Sequence, residues 1–533
     1  MPDILLIQPP IRDFYLTAKR TIPYGLACIA SALIRDGFSV EIMDALATSR
    51  SRGIPLPDEM AYLGEFYGKP DVSPFALFHH FKHFGAGFER IGHAARDSGA
   101  FLVGISSLFT AYSEEALETA RIVRSFHPTC KIVMGGHHPT EMPERVMECE
   151  AVDYVIRGEG EVSLPALAKA LKEGSGIEAV PGLVRRLADG SIGSPPPALM
   201  ENPGDYPLPA VHLLNQRFYR RGQRPGAVIV ASRGCPLRCT YCSVGASSYL
   251  RYRRRTVESV LREIEQAVVH HGAGFIDFED ENISLERNWF MELLHGIEER
   301  CGAASPELRA MNGLFPPTLD DEMIRTMREA GFRTLNLSLG TTAQQQLKRF
   351  NRPDVRESFD AALSCAEKHG LEAVGYIIVG APGQNPMDSV SDLLYLAKRR
   401  VLAGVSVYYP SPGSIEYRRC AEAGILPQRL FLMRSTAIPI SHTTTREESV
   451  TLLRLGRILN FIKFLLEKGD TIPPLCEAVE GNVGETRDRT AIGKMLLSWF
   501  LHDTVIRGVI PKGEVFEHRT SRQLSAKFVS GLF

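Results

Sequence analysis

A chain of 533 residues with 44% hydrophobic residues, 23% charged residues and a formal net charge of −1 is long enough for two or three domains, each with its own core. That balance excludes a disordered chain and a nucleic-acid binder that works through a large basic field. No apolar run reaches the roughly 20 residues needed to span a bilayer. The start, MPDILLIQPP, lacks the basic residues and cleavage site of a secretory signal, so a cytoplasmic protein without a transmembrane segment is expected.

Residues 1–175 alternate short apolar runs (Ile4–Gln8, Val40–Asp44, Phe101–Ser107, Lys131–Gly136, Tyr154–Gly158) with helical patterns at Gly25–Ile34, Glu114–Arg124 and Leu164–Leu171. This rhythm predicts a Rossmann-like, doubly wound α/β domain on a parallel sheet. Ligands of such sheets bind beyond the carboxyl ends of the strands, which here lead into Gln8-Pro9-Pro10, Ser106-Ser107, Gly135-Gly136-His137-His138 and Arg157-Gly158-Glu159-Gly160-Glu161. An insertion over about residues 46–95 carries Phe75, Phe78, Phe81 and Phe84 among His79, His80 and His83. The aromatic spacing of three fits one face of a packed helix better than the histidines fit a metal site.

Residues 176–225, rich in Pro, Gly and Arg, read as an interdomain connector. A second α/β series follows over 226–425, with strands expected at Ala227–Ser232, Phe275–Phe278, Thr334–Leu339, Ala373–Val379 and Gly404–Tyr409. Helices are expected at Val257–His270, Arg287–Cys301, Asp320–Ala330, Val355–His369 and Asp388–Arg399, which together suggest a full or partial β/α-barrel. Residues 426–533 turn helical, opening with a capping box at Thr445 and Glu448.

Ten cysteines are too few for a disulfide scaffold, and seven are scattered singly. The other three stand as Cys235-x3-Cys239-x2-Cys242 just after an apolar strand. Three thiolates at this spacing can hold three irons of a 4Fe–4S cubane and leave the fourth open to a chelating cosubstrate. A structural zinc site would show a fourth Cys or His at motif spacing, and an electron-transfer ferredoxin would supply four thiolates.

This segment resembles the signature of the radical S-adenosylmethionine (SAM) superfamily, with Tyr241 before the last cysteine. Phe278-Glu279-Asp280-Glu281-Asn282-Ile283 resembles the F-x-D-D-x-F stretch of the cobalamin-dependent branch, which implies a SAM contact from Asp280 or Glu281. Leu337-Ser338-Leu339-Gly340-Thr341 lies where the family has G-I-E-S-G-S, with Gly340 in place of glutamate and Thr341 in place of serine. Tyr376–Gln384 resembles the F-I-I-G-L-P-G-E strand along the adenine, with Gln384 in place of its glutamate. The resemblance thus implies cluster ligands at Cys235, Cys239 and Cys242, and SAM contacts at Tyr241, Asp280, Glu281, Ser338, Thr341 and Gly380.

The first domain is similar to the cobalamin (B12)-binding domains fused ahead of radical SAM barrels. The carriers imply cobalamin contacts at Gln8, Pro9, Gly25, Ser106, Ser107, Gly135, Gly136, His137, Gly158 and Glu159. No D-x-H-x-x-G sequence is present to ligate cobalt from below, and His137 and His138 read as loop residues.

By resemblance the chain is expected to be a cobalamin-dependent radical SAM methyltransferase. One SAM would give the 5′-deoxyadenosyl radical that abstracts hydrogen from an unactivated carbon or phosphorus centre, methylcobalamin would donate the methyl group, and a second SAM would restore it. The alternatives are an oxidative cyclase or other non-methylating radical enzyme, and, from another class, a non-catalytic cobalamin or cluster sensor. A methylthiotransferase fits less well, because Cys28, Cys130 and Cys149 lack the spacing of a second cluster. Expected partners are a small-molecule substrate, a lipid or a tetrapyrrole-like one included, and an electron donor such as flavodoxin or ferredoxin, with no nucleic acid. No catalytic acid or base is assigned.

Overall fold

Apolar runs on five strands of the N-terminal half supply both faces of one sheet. In the computed structural model, which describes residues 1–14, 22–78, 80–247, 249–302, 305–478 and 488–532, this sheet has seven strands. Its spatial order is Ile192–Gly193, Leu183–Arg186, Tyr154–Ile156, Lys131–Gly135, Leu102–Ser106, Ile4–Gln8, Val40–Asp44. Leu5, Ile7, Val103, Ile105, Ile132 and Met134 face one core, while Ile4, Leu6, Leu102, Val133 and Ile156 face the other. Such burial on both faces is the mark of a parallel sheet covered by helices. The five strands nearest Val40–Asp44 are parallel, and the last two pair antiparallel. Those two come from the 176–225 connector, so the first sheet runs on into the segment read as a wrapping linker.

The insertion differs from its expected form. Phe75, Phe78 and Phe81 lie on a turn and irregular chain rather than on a helix, and Phe84 ends a short strand, Lys82–Phe84, that pairs with Ile11–Asp13 and Ser51–Gly53. Pro70 and Pro74 disfavour helix for the residues before them, and Gly85 and Gly87 follow. Phe75, Phe81 and Phe84 are nonetheless buried. His83 is buried against the Ala86 carbonyl, and His79 lies outside the described residues.

The second half curves into a partial barrel of six parallel strands: Arg224–Ile229, Phe275–Phe278, Glu307–Ala310, Thr334–Gly340, Glu372–Val379 and Leu402–Val407. Its two sheets meet through the bridges Leu308↔Phe332 and Leu314↔Leu337. Ile276, Phe278, Leu335, Leu337, Leu339, Ile377 and Val379 point outward into the helical layer. The strand Glu307–Ala310 had no clear sequence signal, because Glu307 and Arg309 flank a single leucine. Arg309 is held there by Asp277 on the neighbouring strand, directly opposite in register.

The C-terminal region packs on the outside of this arc. Its first helix, Arg446–Glu467, starts with the expected reciprocal Thr445–Glu448 cap. Gly456 lets that helix approach the last barrel strand, since a Cβ there would stand 2.6 Å from Val405 Cγ2. A short hairpin (Arg507–Val509 with Val515–Glu517) interrupts the helices Arg489–Asp503 and Arg522–Leu532. No helix among the described residues is long and apolar enough to cross a membrane.

Candidate functional site

The loop that carries the three cysteines is closed at its base by a two-rung antiparallel ladder, Ser232↔Arg254 and Arg233↔Arg253. Gly234 opens it at φ +83°, and a Cβ there would stand 2.5 Å from the Arg251 carbonyl, so only glycine fits. Gly245 closes on the same loop, its missing Cβ 2.3 Å from the Leu237 carbonyl. The Leu237 amide donates to the Cys235 sulfur, and the Val244 and Gly245 amides donate to that of Cys242. Arg352 Nη1 lies 3.8 Å from Cys239 Sγ. Burial first, then the neighbouring cysteines and Glu281, push the Cys235 thiol up to about 11 and raise that of Cys242. As bare thiols they are neutral at pH 7; bound iron would hold them as thiolates. Among the described residues no three such side chains gather closely enough for a single ion, whereas a cubane needs its three thiolates on three different irons.

The carboxylates after the second barrel strand face opposite ways. Asp280, fully enclosed, accepts from the Ala231 and Ser232 amides and the Ser232 hydroxyl, and burial lifts its pKa to about 7. Glu281 faces a cavity beside Cys235 and Cys242 and accepts from the Gly234 amide, with its pKa raised mainly by burial. Ser338 accepts from Arg352 and donates to the Leu314 carbonyl. Thr341 is turned away, donating to the buried Asp392. Gly380, at φ +75°, sits against Ser449 Oγ, and the Gln384 side chain closes its own turn through Ala381 N and Ile378 O. The Tyr241 ring packs edge-on to Phe350, and its hydroxyl meets Arg352 and Cys239 rather than the cavity.

That cavity, of about 410 Å³, lies between the first sheet and the cysteine loop. All ten residues expected to contact cobalamin line it: Gln8, Pro9, Gly25, Ser106, Ser107, Gly135, Gly136, His137, Gly158 and Glu159. Gly136, at φ +124°, lets the strand-end loop cross the Ser107 carbonyl, which a Cβ would approach to 2.5 Å. Leu26, Ile29, Gly104, Ile156 and Leu164 continue the cavity as an apolar groove beside the first sheet. The Ser107 hydroxyl is buried with no partner among the described residues, a polar group at the cavity wall. His137 faces the cavity, its pKa lowered by burial and by Arg233, whereas His138 is buried on Thr110 with its pKa lowered to about 4 by burial.

The family model of the radical SAM superfamily matches residues 229–394, and that of the B12 binding domain matches residues 75–168. The chain belongs to the cobalamin-binding radical SAM family. It is 26% identical over 422 residues to an uncharacterized methyltransferase of Pyrococcus horikoshii, covering 77% of this chain and 81% of the relative. It is 24% identical over 474 residues to the cytidylyl-2-hydroxyethylphosphonate methyltransferase of Streptomyces wedmorensis, covering 81% and 84%. Its fold is like that of the radical SAM methyltransferase TsrM from Kitasatospora setae with cobalamin and a 4Fe–4S cluster bound (TM-score 0.57, 20% identity, 79% and 75% covered).

As a radical SAM enzyme of this family the chain takes a 4Fe–4S cluster, SAM and cobalamin. The donor sets described above fit them. The thiols with their amide donors suit a cluster, and the glycine-edged cavity with its unpaired Ser107 hydroxyl suits a large amide-rimmed ligand. Glu159 has a further tie that the sequence did not disclose. It takes a bidentate pair from Arg253 at 2.9 Å to each oxygen and a third contact from Arg233 at 3.2 Å, while Arg233 also reaches Glu161 at 2.6 Å. The two rungs that close the cysteine loop are therefore clamped to the strand-end loop of the B12-binding domain. Arg352, too, escaped the sequence reading, since nothing between Asn351 and Pro353 marks an arginine as a neighbour of Cys239.

Proposed function

We propose that this enzyme is a cobalamin-dependent methyltransferase acting on an unactivated carbon or phosphorus centre. The observation that carries the reading is that a single cavity is lined both by the strand-end loops of the first domain and by Gly234 and Glu281 beside the cysteines. Two relatives named as methyltransferases, each covered over more than four-fifths of its length, support it.

In this reading Cys235, Cys239 and Cys242 hold the cluster, and Glu281 orients the ammonium of SAM by a charge-assisted hydrogen bond. Asp280 anchors the loop from behind, and Ser338 acts through Arg352. When bound, the cluster with SAM supplies a hydrogen-abstracting radical, and cobalamin supplies the methyl group. Gln8, Ser106, Ser107 and the Gly135–His137 turn would receive the corrin amides, and the groove by Leu26 and Leu164 would take the base of the nucleotide tail. We assign His137 to the cavity wall rather than to cobalt. Leu108 and Phe109, exposed at the cavity's edge, favour a bulky or apolar small molecule, a lipid or tetrapyrrole-like one among them. We divide the chain into 1–175, the connector 176–225, the barrel 226–425 and the C-terminal region 426–533. We place the enzyme in the cytoplasm, where a flavodoxin or ferredoxin can supply electrons.

The test is anaerobic reconstitution with cluster and cobalamin, followed by incubation with methyl-deuterated SAM and a small-molecule extract. Both 5′-deoxyadenosine and S-adenosylhomocysteine are expected, with label in a new product. 5′-Deoxyadenosine without S-adenosylhomocysteine or labelled product would sink methyl transfer and favour an oxidative cyclase or another radical rearrangement.

A further inference from the structure

Arg352 is a buried cation. It is 9% exposed, and among the described residues no Asp or Glu pairs with it, although Arg349 one turn earlier pairs with Glu416 at 2.8 Å. Its fork is instead shared between backbone, hydroxyls and sulfur. Nη2 donates to Ser338 O at 2.7 Å and Ser338 Oγ at 2.9 Å, and Nη1 donates to Tyr241 Oη at 3.2 Å and lies 3.8 Å from Cys239 Sγ. Nε is buried with no partner among the described residues, and the group lies over the Phe315 ring at 5.5 Å. Space for it is made by Gly340, whose missing Cβ would stand 3.2 Å from Nε.

A guanidinium removed from water without a counter-charge is costly, by several kcal/mol. A negative charge within its reach is that of the thiolate Cys239 would become on holding iron, 3.8 Å from Nη1. We infer that Arg352 is a positioning residue that serves as counter-ion to the Cys239 thiolate and raises the reduction potential of the cluster. A fixed positive charge and an N–H···S bond stabilise the more negative reduced form over the oxidised one. Reduction adds one electron from an external one-electron reductant, with no proton and no bond made or broken in the protein. The inference rests on a cluster held by the three cysteines and is independent of methyl transfer.

The experiment is an anaerobic, mediated redox titration of the reconstituted full-length protein, followed by the electron paramagnetic resonance of the reduced cluster. Cys239→Ala, which should lose iron, tests the cluster assignment separately. Arg352→Gln is expected to lower the reduction equilibrium constant at least tenfold, about 59 mV for one electron. Arg352→Lys keeps the charge but not the fork and should fall by less. Ser338→Ala, which loosens the guanidinium without removing it, should shift the same way by a smaller amount and with altered g-values. Midpoints equal to wild type in whichever of these variants hold full iron overturn the inference. A lower midpoint in the order Gln, Lys, wild type is the result it requires.

Discussion

Asp280 and Glu281 show how neighbouring carboxylates come to serve different ends. On a strand end successive side chains point to opposite faces, so only one of the two can face the cavity. Asp280 takes the inner face and accepts two amides from the Ala231–Ser232 turn that launches the cysteine loop. Removing it leaves both amides buried and unpaired, at about 1–3 kcal/mol each. Asp280→Ala is therefore expected to lower the melting temperature and iron content together. Glu281→Gln should leave both near wild type and weaken SAM binding about tenfold or more, the scale of one hydrogen bond to a charged group, as read by equilibrium dialysis. Equal loss of iron in both variants would contradict this division. The sequence named both residues but not which way each would face, because the choice depends on the strand beside them. Thr341 and Tyr241 were likewise visible in their motifs, yet Asp392 and Arg352, 51 and 111 residues away, decide where their hydroxyls point.

Between elements, a buried set of ion pairs runs from the first domain to the ladder that closes the cysteine loop. Glu159 stands just before the helix Gly160–Glu173 and is 8% exposed, so its contacts with Arg233 and Arg253 are largely shielded from water. Breaking such a pair from one side costs about 3–5 kcal/mol, whereas replacing both partners by neutral groups of similar volume can be nearly neutral. Glu159→Ala alone should lower both cobalamin affinity and iron content. The double variant Glu159→Gln with Arg253→Met should recover a large part of each, measured by cobalamin titration and iron assay. Additive losses would show that the two residues act separately. The parallel strands were legible in the alternation of apolar runs and helices, whereas their spatial order, which depends on contacts distant in sequence, was not. The clamp was not, because glycine-rich strand ends suggested ligand contact for Glu159 without showing that Arg233 and Arg253 would compete for it.

Across the whole molecule, the insertion and the C-terminal region meet at a buried charged centre that no local pattern announced. Arg454, on the helix Arg446–Glu467, donates to the carbonyls of Phe66 and Phe75 and lies 3.9 Å from Asp71. Asp71 also accepts from His518 at 3.0 Å and from the Val509 and Ser73 amides. Burial would raise the pKa of Asp71, but His518 and the amides outweigh it and hold the carboxyl below its ordinary value. For His518 burial dominates and lowers the pKa to about 4, against an unfolded value near 6.5. Folded His518 therefore stays neutral where the unfolded chain takes up a proton. Its contribution to stability is complete above about pH 6.5 and is lost as pH falls toward 4, by up to about 3 kcal/mol. Asp71, with its pKa depressed, loses its own contribution at lower pH still, as the medium passes below the ordinary carboxylate range. His518→Gln keeps a donor for Asp71 and does not titrate. It should melt close to wild type at pH 7.5 and fall less than wild type when the pH is lowered to 5, as followed by thermal melts at matched ionic strength. Parallel loss of melting temperature in the two proteins would mean that the acid sensitivity resides elsewhere. The seam matters to the site as well, because Arg434 from the same C-terminal region donates to the Arg12 and Ala111 carbonyls next to the cavity wall at Ile11 and Tyr112. Loosening the outer seam by acid is thus expected to release cobalamin before the barrel itself unfolds, seen as a fall in bound corrinoid absorbance that precedes the loss of far-ultraviolet helicity.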